Sequence, residues 1–110
     1  MKLSKKLIDK IKKNDFAVCE DEGGYDFRKY SSAGQDFGFY IDKQASLSDY
    51  AYAALNYHDC YDPSEEAYLW LDSSGHGRNG APYEMIDVYN DMVECKSFIY
   101  ELYEIILEET

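Results

Sequence analysis

Gly75-His76-Gly77-Arg78-Asn79-Gly80 gathers an acid–base group, a fixed cation and an amide among three glycines. Glycine permits positive φ, and a loop that feeds a helix N-terminus offers free N–H groups to an anion. Arg78 could clamp a phosphate or carboxylate, and His76 beside Asn79 could exchange a proton near neutral pH. The spacing is not that of a phosphate-binding P-loop, which ends in Gly-Lys-Ser/Thr, and no strand precedes it. Chain reversal between two helices explains the loop better, and Arg78 has many carboxylates of its own chain to pair with. Anion binding by His76, Arg78 and Asn79 is kept as the chemical alternative.

Other constellations are weaker. His58 and Cys60 stand two apart, so on a helix they point in different directions, and no cysteine pair has metal-ligand spacing. Asp59-Cys60-Tyr61-Asp62 lacks the alternating oxygens and glycine of a calcium loop. No GxSxG elbow or cysteine–histidine signature occurs. The expectation is no catalytic residue, no metal site and no cofactor.

Carboxylates are the dominant chemistry. From Pro82 to Glu108 the spacing predicts one long helix, about 40 Å at ~1.5 Å per residue. Along it, Glu84, Asp87, Asp91, Glu94, Glu101, Glu104 and Glu108 recur every three or four residues, with Phe98 filling a gap of seven. Successive acids stand roughly 5–6 Å apart, near the phosphate step of a nucleic acid strand. A solvated helix face is the ordinary reading, and a surface that imitates nucleic acid is the sharper one. The apolar face is expected opposite, at Met85, Tyr89, Met92, Val93, Ile99, Tyr100, Tyr103 and Ile106. Asp59, Asp62, Glu65 and Glu66 form a second acidic patch. Lys96 falls within the apolar stripe, where its stem is expected to lie along Met92 and Tyr100 and its amine to reach Glu65 or Glu66.

The net charge is −11 over 110 residues, unevenly spread. Residues 1–13 hold six lysines against Asp9, a sum of +5, which leaves −16 for the rest. Such a field repels free nucleic acid and acidic membranes and attracts basic protein surfaces. Direct nucleic acid binding is therefore not expected, the lysine-rich first helix being the one exception. Cys19, Cys60 and Cys95 form no framework and suggest a reduced, cytoplasmic chain with thiols in or near its core. No apolar run is long enough to span a bilayer.

The elements that must position these groups follow from pattern. Ser4 caps a first helix with the stripe Leu3, Leu7, Ile8 and Ile11, ending near Asn14-Asp15. Phe16–Glu20 reads as a strand and Gly23-Gly24 as a hairpin turn. Tyr25, Phe27 and, after a slip of register, Tyr30 mark a second strand. Phe37, Phe39 and Ile41 alternate with polar positions in a third. Ser46 with Asp49 opens a helix to about Cys60, and Asp62-Pro63-Ser64-Glu65 opens a short one to about Asp72. The fold class is α+β in a single domain: an N-terminal helix, a three-stranded antiparallel meander, then three helices, the last one long.

Twelve tyrosines are the second oddity of composition. Some fill the core, whereas Tyr25, Tyr40, Tyr52, Tyr57 and Tyr61 lie between acids or on polar faces. Rigid and amphipathic, tyrosine suits interfaces, and beside acids it suits arginine- and lysine-rich grooves.

Glu66–Asp72, Gly75–Tyr83 and Asp87–Asp91 resemble segments of small acidic proteins carried by phages and mobile elements of Firmicutes-type bacteria. The order of a basic first helix, a meander and acidic helices is similar to that of small anti-CRISPR proteins of the DNA-mimic type. The resemblance implies a stoichiometric inhibitor without catalytic residues and transfers no functional residue by position. The leading expectation is an anti-defence protein, monomeric or dimeric, that blocks the nucleic-acid-binding surface of a nuclease. Its contacts would be Glu84, Asp87, Asp91, Glu94, Glu101 and Glu104, with Asp59, Tyr61, Asp62, Glu65 and Glu66. The alternative is a structural or regulatory adaptor working through helix-mediated or homodimer contacts, and the third reading is an enzyme or anion-binding protein using the glycine-rich loop.

Overall fold

The computed structural model describes residues 1–74 and 84–110, the side chains of 69–74 excepted. His76, Arg78 and Asn79, and with them the expected loop chemistry, lie outside the described residues. The element order is α1 (Lys5–Lys13), β1 (Ala17–Glu20), β2 (Gly24–Tyr30), β3 (Asp36–Asp42), α2 (Leu47–Cys60), α3 (Pro63–Ser74) and α4 (Met85–Glu108). This is the α+β order that the sequence predicts. No helix among the described residues is long and apolar enough to cross a membrane.

Local chemistry accounts for the boundaries. The Ser4 hydroxyl accepts from the Leu7 N–H at 3.1 Å, and that of Ser46 from the Asp49 N–H at 3.2 Å. Asp62 opens α3 in the same way, its carboxylate accepting from the Ser64 N–H at 3.0 Å. These acceptors satisfy N–H groups that have no partner within the helix. Between β1 and β2 the Asp21 carboxylate takes the N–H groups of Gly23 and Gly24, and the Tyr40 hydroxyl at 2.7 Å. A Cβ at Gly24 would stand 2.3 Å from the Ile41 carbonyl oxygen, so only glycine lets β3 approach there.

The sheet is an antiparallel meander in the order β1-β2-β3. β2 pairs with β3 in unbroken register from Gly24↔Asp42 to Tyr30↔Asp36. There is no slip at Tyr30: strict alternation turns it outward, exposed, and puts Lys29 on the core side. Tyr25, Phe27, Phe39 and Ile41 face inward into the core, with Tyr25 against Tyr50 and Phe39 against Tyr57 of α2. Tyr25 stacks beside Phe27 and meets Tyr50 edge-on, and its hydroxyl accepts from the Leu3 N–H at 2.9 Å. That phenol ties the N-terminus, the sheet and α2 together.

α4 departs from the expected helix in two respects. It starts at Met85, with Glu84 extended at its cap, and Pro82 and Tyr83 lie outside the described residues. It is also rotated by roughly a quarter-turn from the predicted face. The buried residues are Val88, Asp91, Met92, Cys95, Phe98, Ile99, Leu102, Ile105 and Ile106. Met85, Tyr89, Val93 and Tyr100, expected inside, are exposed. Two apolar stripes share this helix, and the domain buries the one with more large aliphatic residues. Cys95 is buried, whereas Cys19 and Cys60 are exposed rather than in the core.

Candidate interaction surface

The rotation of α4 decides what its acids do. Asp91 is buried, and its Oδ1 has no hydrogen-bond partner. Glu94 accepts from the Ser32 N–H at 3.1 Å and from its hydroxyl at 2.8 Å, pinning the β2–β3 turn. Glu101 takes the Lys29 ammonium at 2.6 Å, and Glu108 takes that of Lys10 at 2.6 Å. The row is therefore no free carboxylate ladder. Three of its seven members tie α4 to the turn, to β2 and to α1. Glu84, Asp87 and Glu104 are exposed and make no ion pair among the described residues.

Asp91 supplies a pH prediction. Burial raises its carboxyl pKa, with the nearby Ser31 hydroxyl opposing and Glu94 reinforcing the shift. A carboxyl raised on folding favours the fold fully below the ordinary aspartate range, and that contribution is lost as pH rises through the raised value. Asp91→Asn is thus expected to stabilise the protein at pH 7 and to converge with the parent as pH falls below the ordinary aspartate range. Denaturant melts at pH 7 and below that range check this. Glu20 and Asp21 act oppositely, because hydrogen bonds from Lys43 and Tyr40 lower their pKa values.

The second patch borders a concave surface. At the α2–α3 junction a notch of about 240 Å³ is lined by Asn56, Tyr57, Cys60, Tyr61 and Glu66. Its aromatic walls are anchored on the sheet: the Tyr57 ring lies 5.3 Å from that of Phe39, and Tyr61 meets Phe37 edge-on at 5.7 Å. Burial pushes the Tyr57 phenol above its ordinary value, and the Glu66 carboxylate adds to that. Asp59, Asp62 and Glu65 are exposed nearby in sequence on both sides of the helix junction. The first-turn acids of α3 also answer its helix dipole, which explains part of their presence. Exposed Tyr52 on α2 and Tyr68 on α3 add aromatic surface on the same two helices.

Tyr61 is a correction. It is buried rather than on a polar face: its hydroxyl points to the Met92 sulfur at 3.3 Å, and only the 8% of it that stays exposed can contribute to the notch wall. Tyr25 is likewise core, whereas Tyr40, Tyr52 and Tyr57 are exposed as the sequence suggests. Lys96 is half-buried and makes no ion pair with Glu65, Glu66 or any other described residue. Sequence reasoning did not single out the Tyr57–Glu66 pairing, although a polar–aromatic edge at Asn56, Tyr57 and Cys60 was there to be read beside the second acidic patch. A separate groove of about 560 Å³ along α1 is lined by Lys5, Lys6, Asp9, Lys10, Lys13 and Glu109. No protein-family model, curated protein or solved structure matches the chain.

Proposed function

We propose that this protein is a non-enzymatic inhibitor that docks its acidic, aromatic α2–α3 corner on a basic protein groove used for nucleic acid. The observation that carries the reading is the notch itself: a tyrosine face and a half-buried carboxylate, with Asp59, Asp62 and Glu65 on the flanking turns. An arginine or lysine of the partner would lay its stem along Tyr57 and set its cation against Glu66, where a ring and a carboxylate act together. The exposed acids would take further cations that otherwise hold phosphates, so binding and nucleic acid exclude each other. The charge of −16 outside residues 1–13 would steer the encounter. The resemblance in charge and element order to DNA-mimic anti-CRISPR proteins makes a nuclease of host defence, such as a Cas nuclease, the target class to test first.

The experiment is displacement of a labelled duplex from such nucleases, followed by fluorescence anisotropy at rising salt. Stoichiometric displacement that weakens steeply with ionic strength is expected. Displacement indifferent to salt, or none across a panel of basic nucleases, would overturn the reading.

A further inference from the structure

The outer face of α4 carries a second, independent pattern. Ile86, Tyr89, Val93, Lys96, Tyr100, Tyr103 and Leu107 follow one another at intervals of three and four without a break. This is the spacing of a coiled-coil seam, and it lies beside the inner stripe Val88, Met92, Cys95, Ile99, Leu102 and Ile106 that the domain buries. Exposure along the outer stripe runs from 36% at Tyr89 to 58% at Ile86, with Val93, Tyr100 and Leu107 between them. Tyr103 and Lys96 are partly buried. Scattered apolar residues on a surface need no explanation, but five large ones in register along a 24-residue helix do.

We infer that this stripe pairs antiparallel with the same stripe of a second copy. Charge decides the occupant and the direction. Lys96 is the one cation on the stripe, and Glu104 stands on its edge two turns later; neither has an ion-pair partner among the described residues. A parallel pair would set Lys96 against Lys96, and a basic partner would oppose it too. In the antiparallel register that alternates the two seam positions, Tyr89 meets Leu107, Val93 meets Tyr103 and Lys96 meets Tyr100, each twice by symmetry. The ammonium then lies over the Tyr100 ring of the second copy, with Glu104 of that copy one turn, about 6 Å, further along. One seam thus supplies both the apolar surface and the counter-charge that the other lacks. A buried seam lysine would cost some affinity and fix the register.

The seam residues are not those of the α2–α3 corner, although the Tyr100 ring lies 5.1 Å from that of His58, which faces Asp59 at 3.0 Å, and the dimer is tested separately by its response to salt. The like net charges of the two copies, −11 each, repel and are screened by salt, so association through the apolar seam persists at about 0.5 M salt, where corner binding is lost. Sedimentation equilibrium from roughly 1 to 300 μM tests it. A reversible dimer is expected, monomeric in Val93→Glu with an unchanged circular dichroism spectrum. Lys96→Glu and Glu104→Lys should each weaken association about tenfold, and the two together should restore it. A parent protein monomeric over that range overturns the inference. So does a Val93→Glu variant that still dimerises, or a double variant no tighter than the singles.

Discussion

Replacing Lys29 by alanine is expected to destabilise the protein by about 3 kcal/mol, an effect normally reserved for core residues. Strand alternation puts this lysine on the buried side of β2, where its side chain is 16% exposed. Its ammonium meets the Glu101 carboxylate at 2.6 Å and the Asn14 carbonyl at 3.0 Å. It also stands 4.9 Å from the centroids of both the Phe16 and Phe98 rings. Alanine removes the stem that fills this space and leaves Glu101 and the Asn14 carbonyl without their donor. Lys29→Met keeps the stem and should recover a good part of the loss. Glu101→Gln should cost less, about 1 kcal/mol, because Glu101 is two-fifths exposed and Lys29 keeps Asn14. Urea midpoints for the three variants order these effects. An alanine variant as stable as the parent would show that the pair is an ordinary surface contact.

Tyr61→Ala should cost about 4 kcal/mol, whereas Tyr61→Phe should cost under about 1. The ring closes the space between β3, α2 and α4, edge-on to Phe37, and burial pushes its phenol pKa upward. Its hydroxyl has only the Met92 sulfur, a weak acceptor, so losing it matters little. The same pair of variants separates structure from binding. Tyr61→Phe should bind the target as the parent does, and a loss of affinity at full stability would mean that the hydroxyl is reached by a partner after all.

The fold was legible because its signals are local. Ser4, Ser46 and Asp62 mark helix starts by their own chemistry, and Phe37-Phe39-Ile41 fixes which side of a strand is buried. The face of α4 was not legible in the same way. Its apolar residues form two stripes, each with regular three- and four-residue spacing, and periodicity alone ranks them equally. Only the tertiary partners choose: packing chiefly on α2 and α3 buries Val88, Cys95, Phe98 and Leu102, and that choice buries Asp91 and turns Glu94 and Glu101 toward Ser32 and Lys29. The acidic row was thus a correct observation about spacing and a poor guide to availability. Lys29 carries no local signal of its role, because a lysine in a strand reads as an outward residue until register is known. At the α2–α3 junction Asp59, Asp62 and Glu65 are exposed, whereas Tyr61 is buried and Glu66 half-buried, a division that sequence spacing does not show.

The most direct test sets the two groups of acids against each other. Displacement of a duplex from a responsive nuclease would be measured for Asp59→Lys/Asp62→Lys/Glu65→Lys and for Glu94→Gln/Glu101→Gln, each confirmed folded by circular dichroism. The corner triple is expected to lose affinity by about 100-fold, and the α4 pair to stay within about threefold of the parent. Affinity lost by the α4 pair and kept by the corner triple would place the interaction on the long helix and contradict the role given to the notch.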